Sequence, residues 1–70
     1  MLRLIQIRKR MGLSQSALAR KANLHQPTLC DIEKARNVPW PGQLRAIAAA
    51  LEWPVDDAAE LLEDVDSDAD

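Results

Sequence analysis

Three residues, Asn23, Leu24 and His25, separate two amphipathic runs. That short gap constrains the fold of this chain more than any other feature. Upstream, Leu18 and Ala22 mark the inner face of a helix expected over about residues 15–22. Ser14 stands just before this run, at the position an N-cap prefers. Downstream, Leu29 and Ile32 give a second helix its inner face over about residues 26–34. Asn23 tolerates the left-handed backbone that ends a helix. A connection this short makes the two helices cross steeply.

The remaining segments are also read as helical. Tyr and Phe are absent, and Ala, Leu, Arg, Glu and Gln dominate. Leu4, Ile7 and Met11 share one face of a first helix over about 2–11, and Gly12 closes it. The stretch ARNVPWPG is a loop punctuated by Pro39, Pro41 and Gly42. A fourth helix over about 42–51 faces inward with Leu44, Ile47, Ala48 and Leu51. Trp53-Pro54 breaks it, and a last helix over about 55–62 uses Val55, Ala58, Leu61 and Leu62. No strand signal and no internal repeat is present. The expectation is an all-α, five-helix domain over residues 1–62, followed by a disordered acidic tail over 63–70, EDVDSDAD.

Size and charge narrow the function. Seventy residues make one domain with a modest core. The one cysteine, Cys30, rules out an intramolecular disulfide, and no His/Cys cluster suggests a metal. No apolar run is long enough for a signal peptide or a membrane span, which points to a cytoplasmic protein. The net charge of −2 conceals a division. Residues 1–53 hold all nine Lys and Arg and three acids, giving +6; residues 54–70 hold eight acids and no base, giving −8. A basic body with an acidic end suggests nucleic acid on one side. A solvated surface with a solubilising tail accounts for the same charges.

The stretch LSQSALARKANLHQPTLCDIEKARNVP resembles the helix-turn-helix of lambda repressor/Cro-like (XRE family) transcription factors. Leu13, Ser14, Gln15, Leu18, Ala19, Leu24, Leu29, Ile32 and Glu33 fall on the family's pattern without gaps, and Pro39 matches a common proline in the next loop. The likeness covers about residues 2–60. It implies a compact lambda-repressor-like domain whose helix-turn-helix lies at helices two and three. Asn23, Ala35 and Glu52 stand where the family usually has Gly, and Trp40 where it usually has Ser or Thr. For Ala35, a differently shaped turn after helix three is the expectation. The resemblance also implies that Arg8 and Glu33 form a partly buried ion pair; a solvated Arg8 is the other reading.

In such a motif the N-terminal part of the second helix enters the major groove. A helical wheel sets Pro27, Cys30 and Lys34 opposite Leu29 and Ile32, flanked by Gln26 and Asp31. Base readout is therefore assigned to Gln26, Pro27, Thr28, Cys30 and Asp31, with Gln26 foremost because a glutamine pairs bidentately with adenine. Pro27 touches a thymine methyl or stiffens the turn. Thr28 bonds phosphate or caps, and Cys30 approaches bases or is merely tolerated. Asp31 accepts from cytosine, is neutralised by Lys34, or weakens DNA binding. Phosphate contacts are assigned to Gln15, Arg20, Lys21, His25, Lys34, Arg36 and Asn37. The resemblance gives Gln15 a second task, bracing the first reading glutamine. His25 also stands where it could cap helix three.

No nucleophile–base set, phosphate loop, carboxylate pair or metal cluster supports an enzyme, and no cofactor is implied. The leading expectation is a sequence-specific regulator, a repressor binding a palindromic double-stranded DNA operator as a homodimer in the nucleoid. Pairing is expected through Trp53, Val55, Ala59 and Leu62, or through Leu2 and Ile5; Trp53 is equally readable as core. The alternative is an antitoxin-like or adaptor module whose acidic end binds a protein partner or masks the basic face.

Overall fold

The computed structural model describes residues 1–65. Four α-helices run Arg3–Arg10 (α1), Gln15–Lys21 (α2), Gln26–Glu33 (α3) and Pro41–Ala50 (α4), followed by a 3₁₀ helix at Val55–Leu62. The fold is all-α with five helices, and no strand forms among the described residues. Leu4, Leu18, Leu29, Ile32, Ile47 and Leu61, one or two from each helix, are the largest fully buried side chains. Ala19, Ala22, Ala48 and Ala58 are buried among them. Alanines at these positions let the helix backbones approach closely without leaving voids.

The four α-helices end in the same way. Gly12, Asn23, Ala35 and Glu52 each adopt positive φ, between 56° and 71°. The residue after each donates its backbone N–H to a carbonyl five positions back: Leu13 to Arg8 (3.1 Å), Leu24 to Ala19 (2.8 Å), Arg36 to Asp31 (2.8 Å) and Trp53 to Ala48 (2.8 Å). This is the Schellman motif, which satisfies carbonyls left over at a helix end. Leu13, Leu24 and Trp53 also pack against the core, the apolar contact that accompanies the motif. The turn after α3 thus keeps the shape a glycine would give it. The expectation of a differently shaped turn at Ala35 is corrected; the substitution is absorbed as backbone strain.

Ser14 caps α2, its hydroxyl accepting from the Ala17 N–H at 3.0 Å. Pro41, expected as a loop residue, instead opens α4, one residue before the expected start at Gly42. Pro41 occupies a first-turn position, where its missing N–H costs little. The Gln43 side chain accepts from the Trp40 N–H at 3.0 Å and closes that end.

Three expectations are revised by the C-terminal region. The last helix is 3₁₀ and kinks at Asp57 (φ −106°, ψ 19°), whose carbonyl accepts the Trp53 indole N–H at 3.1 Å. Val55 is 43% exposed rather than part of the core. The tail does not leave the domain at residue 63. Arg3 N–H donates to the Glu63 carbonyl (2.8 Å) and Val65 N–H to the Met1 carbonyl (2.7 Å), forming a bridge between Leu2 and Asp64. Met1 and Arg3 add ion pairs to Asp64 (2.8 Å) and Glu63 (3.2 Å). These pairs are exposed and contribute little stability on their own. The backbone pairing is what draws the two ends together. Residues 66–70 of the expected tail lie outside the described residues.

Candidate nucleic-acid interface

The back of α3 is anchored by Leu29 and Ile32 in the core and by Glu33 at its last turn. Glu33 accepts from Arg8 Nε at 2.8 Å and from Arg8 Nη2 at 3.2 Å, a two-pronged ion pair between α1 and α3. Both side chains are largely buried, at 12% and 6% exposure, so Arg8 is no solvated surface charge. Arg8 Nη1 also donates to the Leu13 carbonyl at 3.0 Å, which ties the α1–α2 turn into the same cluster. A buried pair of this kind fixes geometry more than it adds net stability.

Gln15, at the first position of α2, extends the cluster towards the surface. Its Nε2 donates to Glu33 at 3.0 Å, and its Oε1 accepts from Gln26 Nε2 at 3.4 Å. One side chain therefore joins the buried ion pair to the exposed start of α3. Sequence reasoning treated the ion pair and the two glutamines separately and missed this link. The signal lay in the spacing, since Gln15 opens one helix while Gln26 and Glu33 are the two ends of the next.

The front of α3 is open. Gln26 and Pro27 are exposed, whereas Thr28, Cys30 and Asp31 are half-buried. His25 occupies the N-cap position but makes no side-chain cap hydrogen bond, so that reading of it is corrected. Thr28 supplies no cap there either. Asp31 forms no ion pair among the described residues, so it is not neutralised by Lys34. Arg20, Lys21, His25, Lys34, Arg36 and Asn37 lie at the end of α2, the entry to α3 and the loop beyond it. All six are exposed.

That loop carries a feature the sequence did not flag as a patch. Val38 and Trp40 are 79% and 74% exposed, with Pro39 buried between them. Trp40 thus does not pack on the core edge. The VPWP pattern held the signal. Prolines hold their predecessors extended, and alternating side chains of an extended segment point opposite ways. Of the apolar residues considered for pairing, Val55 and Ala59 are exposed. Trp53, Leu62, Leu2 and Ile5 are half-buried and pack against the core.

Two consecutive helices joined by a tight Schellman turn, with the second presenting its first turn outward, make a helix-turn-helix. A family model described as a helix-turn-helix domain matches residues 2–61. The chain belongs to that helix-turn-helix family. The match spans nearly all of the five helices. A comparison with curated proteins finds no match. A helix-turn-helix domain is a DNA-binding domain, and the arrangement of α2 and α3 is the one through which such domains meet a duplex. No helix among the described residues is long and apolar enough to cross a membrane, and no group of three His, Cys, Asp or Glu there would hold a metal.

Proposed function

We propose that this helix-turn-helix domain is a sequence-specific DNA-binding regulator of the lambda repressor/Cro-like (XRE) type. It acts as a repressor, binding a palindromic operator as a homodimer. The observation that carries the reading is the open first turn of α3. Gln26 and Pro27 are exposed there, between exposed cations of α2 and of the loop after α3. Gln26 reads a base through its carboxamide, and Pro27 stiffens the turn that presents it. Thr28, Cys30 and Asp31, half-buried further along the helix, complete the base-reading set. Asp31, with its carboxylate unpaired among the described residues, accepts from cytosine N4. Gln15, Arg20, Lys21, His25, Lys34, Arg36 and Asn37 contact phosphates and set affinity and its salt dependence.

A homodimer doubles the contacts of a small module and matches a palindrome. Val55 and Ala59 remain available for pairing.

The protein-partner alternative draws on the exposed acids Asp56, Asp57 and Glu60 of the 3₁₀ helix. Masking of the basic face by the start of the acidic tail is disfavoured, because Glu63 and Asp64 are engaged by Arg3 and Met1.

Selection from a random double-stranded DNA library tests the proposal, with oligomeric state measured alongside. The expected result is an inverted repeat bound by a dimer, with affinity falling steeply as salt rises. Absence of any selected sequence at low salt overturns it.

A further inference from the structure

We infer that Val38 and Trp40 form an apolar pad that packs on the deoxyribose of bound DNA, between the phosphates met by the cations around it. The inference rests on the DNA-binding role proposed above. It adds a contact outside the reading helix whose strength does not depend on salt.

The pad is held in place by its own loop. Val38 and Trp40 are the two most exposed of the large apolar side chains among the described residues. Pro39 between them is buried. Alternate side chains of an extended segment share a side, so seating Pro39 inward turns both neighbours outward together. The backbone is fixed at both ends. Arg36 N–H donates to the Asp31 carbonyl at 2.8 Å, and Trp40 N–H to the Gln43 side-chain oxygen at 3.0 Å. Pro39 and Pro41 lock φ on either side of Trp40. The indole is thus presented on a pre-ordered backbone, which lowers the cost of binding through it.

The rim of the pad decides what covers it. Residues 34–51 carry Lys34, Arg36 and Arg45 and no acid. All three cations are exposed. A second copy docked pad to pad would set these cations against their own mates. It would also bury too little. Two tryptophans hold at most about 500 Å² between them, two valines add less, and a stable pair needs about 1,200–2,000 Å². A duplex backbone supplies both chemistries in alternation, phosphate for the cations and sugar carbons for the pad. Arg36 and Asn37, proposed above for phosphates, directly precede Val38. Trp40 lies about 10 Å beyond Asn37 along an extended segment, so pad and cations meet the same stretch of backbone. The serine or threonine usual here in the family the chain resembles has no comparable apolar face.

The test separates apolar from ionic contacts by their response to salt. Affinity for the selected operator is measured across a salt series for the wild type, Trp40→Ala, Trp40→Phe and Arg36→Ala. Acrylamide quenching of tryptophan fluorescence is compared with and without DNA in the wild type and in Trp40→Ala, which retains only Trp53. Trp40→Ala should still melt as the wild type does, because the side chain is exposed and its backbone N–H keeps its partner.

Trp40→Ala should bind about tenfold more weakly per domain at every salt concentration, the effect of about 60 Å² of apolar surface left in water. The salt slope and the base preferences should not change. Arg36→Ala should instead reduce the slope by about one. Trp40→Phe should recover most of the loss, and DNA should shield Trp40 from acrylamide. If Trp40→Ala binds as the wild type does and Trp40 stays fully quenchable on DNA, the pad is wrong and the DNA-binding role stands. If Trp40→Phe is as weak as Trp40→Ala, the contact belongs to the indole N–H and the apolar pad is overturned. Loss of a DNA-free dimer in Trp40→Ala would assign the pad to a second copy and overturn it too. If the wild type binds no DNA, the pad and the DNA-binding role fall together.

Discussion

The two ends of α3 are built on opposite principles, although the helix is only eight residues long. At the C-terminal end, Glu33 is almost fully enclosed and takes three hydrogen bonds from Arg8 and Gln15. At the N-terminal end, Gln26 and Pro27 are exposed, no side chain caps the helix, and one 3.4 Å contact holds Gln26. One end is saturated and the other keeps unused hydrogen-bonding capacity. A reading surface needs both, since free donors and acceptors specify a base only when their positions are fixed from behind.

The largest expected effect breaks the saturated end. Glu33→Ala leaves the Arg8 guanidinium buried without its partner, a loss of about 3–5 kcal/mol. A domain of this size has little stability to spare. Urea denaturation should therefore show a largely unfolded variant, or one with a much lower midpoint. A midpoint within experimental error of the wild type would mean that the ion pair does not anchor α3.

The open end should respond in the opposite sense. Gln26→Ala should leave the denaturation midpoint nearly unchanged, because an exposed side chain with one long hydrogen bond contributes little. It should cost about 1–3 kcal/mol of discrimination at one base pair of the selected operator. Competition binding with single-base operator variants measures this. A Gln26→Ala protein that lost stability but kept its sequence preference would reverse the contrast between the two ends.

An intermediate effect is expected where α2 begins. Ser14→Ala removes the hydroxyl that accepts the Ala17 N–H, at a cost of about 1 kcal/mol. It also loosens the first turn of α2, where Gln15 sits. Its effect on stability should be larger than its effect on base preference, because Gln15 remains tied to Glu33. Thermal melting and the operator competition assay separate the two.

The anchored end was more legible in the sequence than the open one. Leu18, Leu29, Ile32, Ile47 and Leu61 follow helical spacing because burial leaves few alternatives, and all are enclosed. Gly12 and Asn23 signalled their turns because few residues tolerate positive φ. Ala35 and Glu52 take the same conformation without any such mark, because the surrounding helix ends force it. The exposure of Val55, the kink at Asp57 and the pairing of residues 1–3 with 63–65 were not legible. The kink comes with a backbone carbonyl taking a side-chain donor, and the pairing with two chain ends meeting, and side-chain periodicity carries no record of either. The continuity from Arg8 to Gln26 was legible only in pieces, since the sequence names the partners and not which atom faces which.

The smallest expected effect sharpens the contrast at the turn that closes α3. Ala35 has φ 59°, a conformation costing a side-chain-bearing residue about 1–2 kcal/mol. Ala35→Gly removes that strain. Glycine also has more freedom to lose on folding, about 0.5–1 kcal/mol relative to alanine. The strain outweighs that entropy cost, so Ala35→Gly should stabilise the domain by about 0.5 kcal/mol, read as a small rise in the denaturation midpoint. Asn23→Gly should gain less, because asparagine already tolerates this conformation. Base preference should not move in either variant, since neither turn carries a residue assigned to base readout. A stabilising Ala35→Gly that also changed which base is selected would mean that the two ends of α3 are mechanically coupled through the helix, and not only through Gln15.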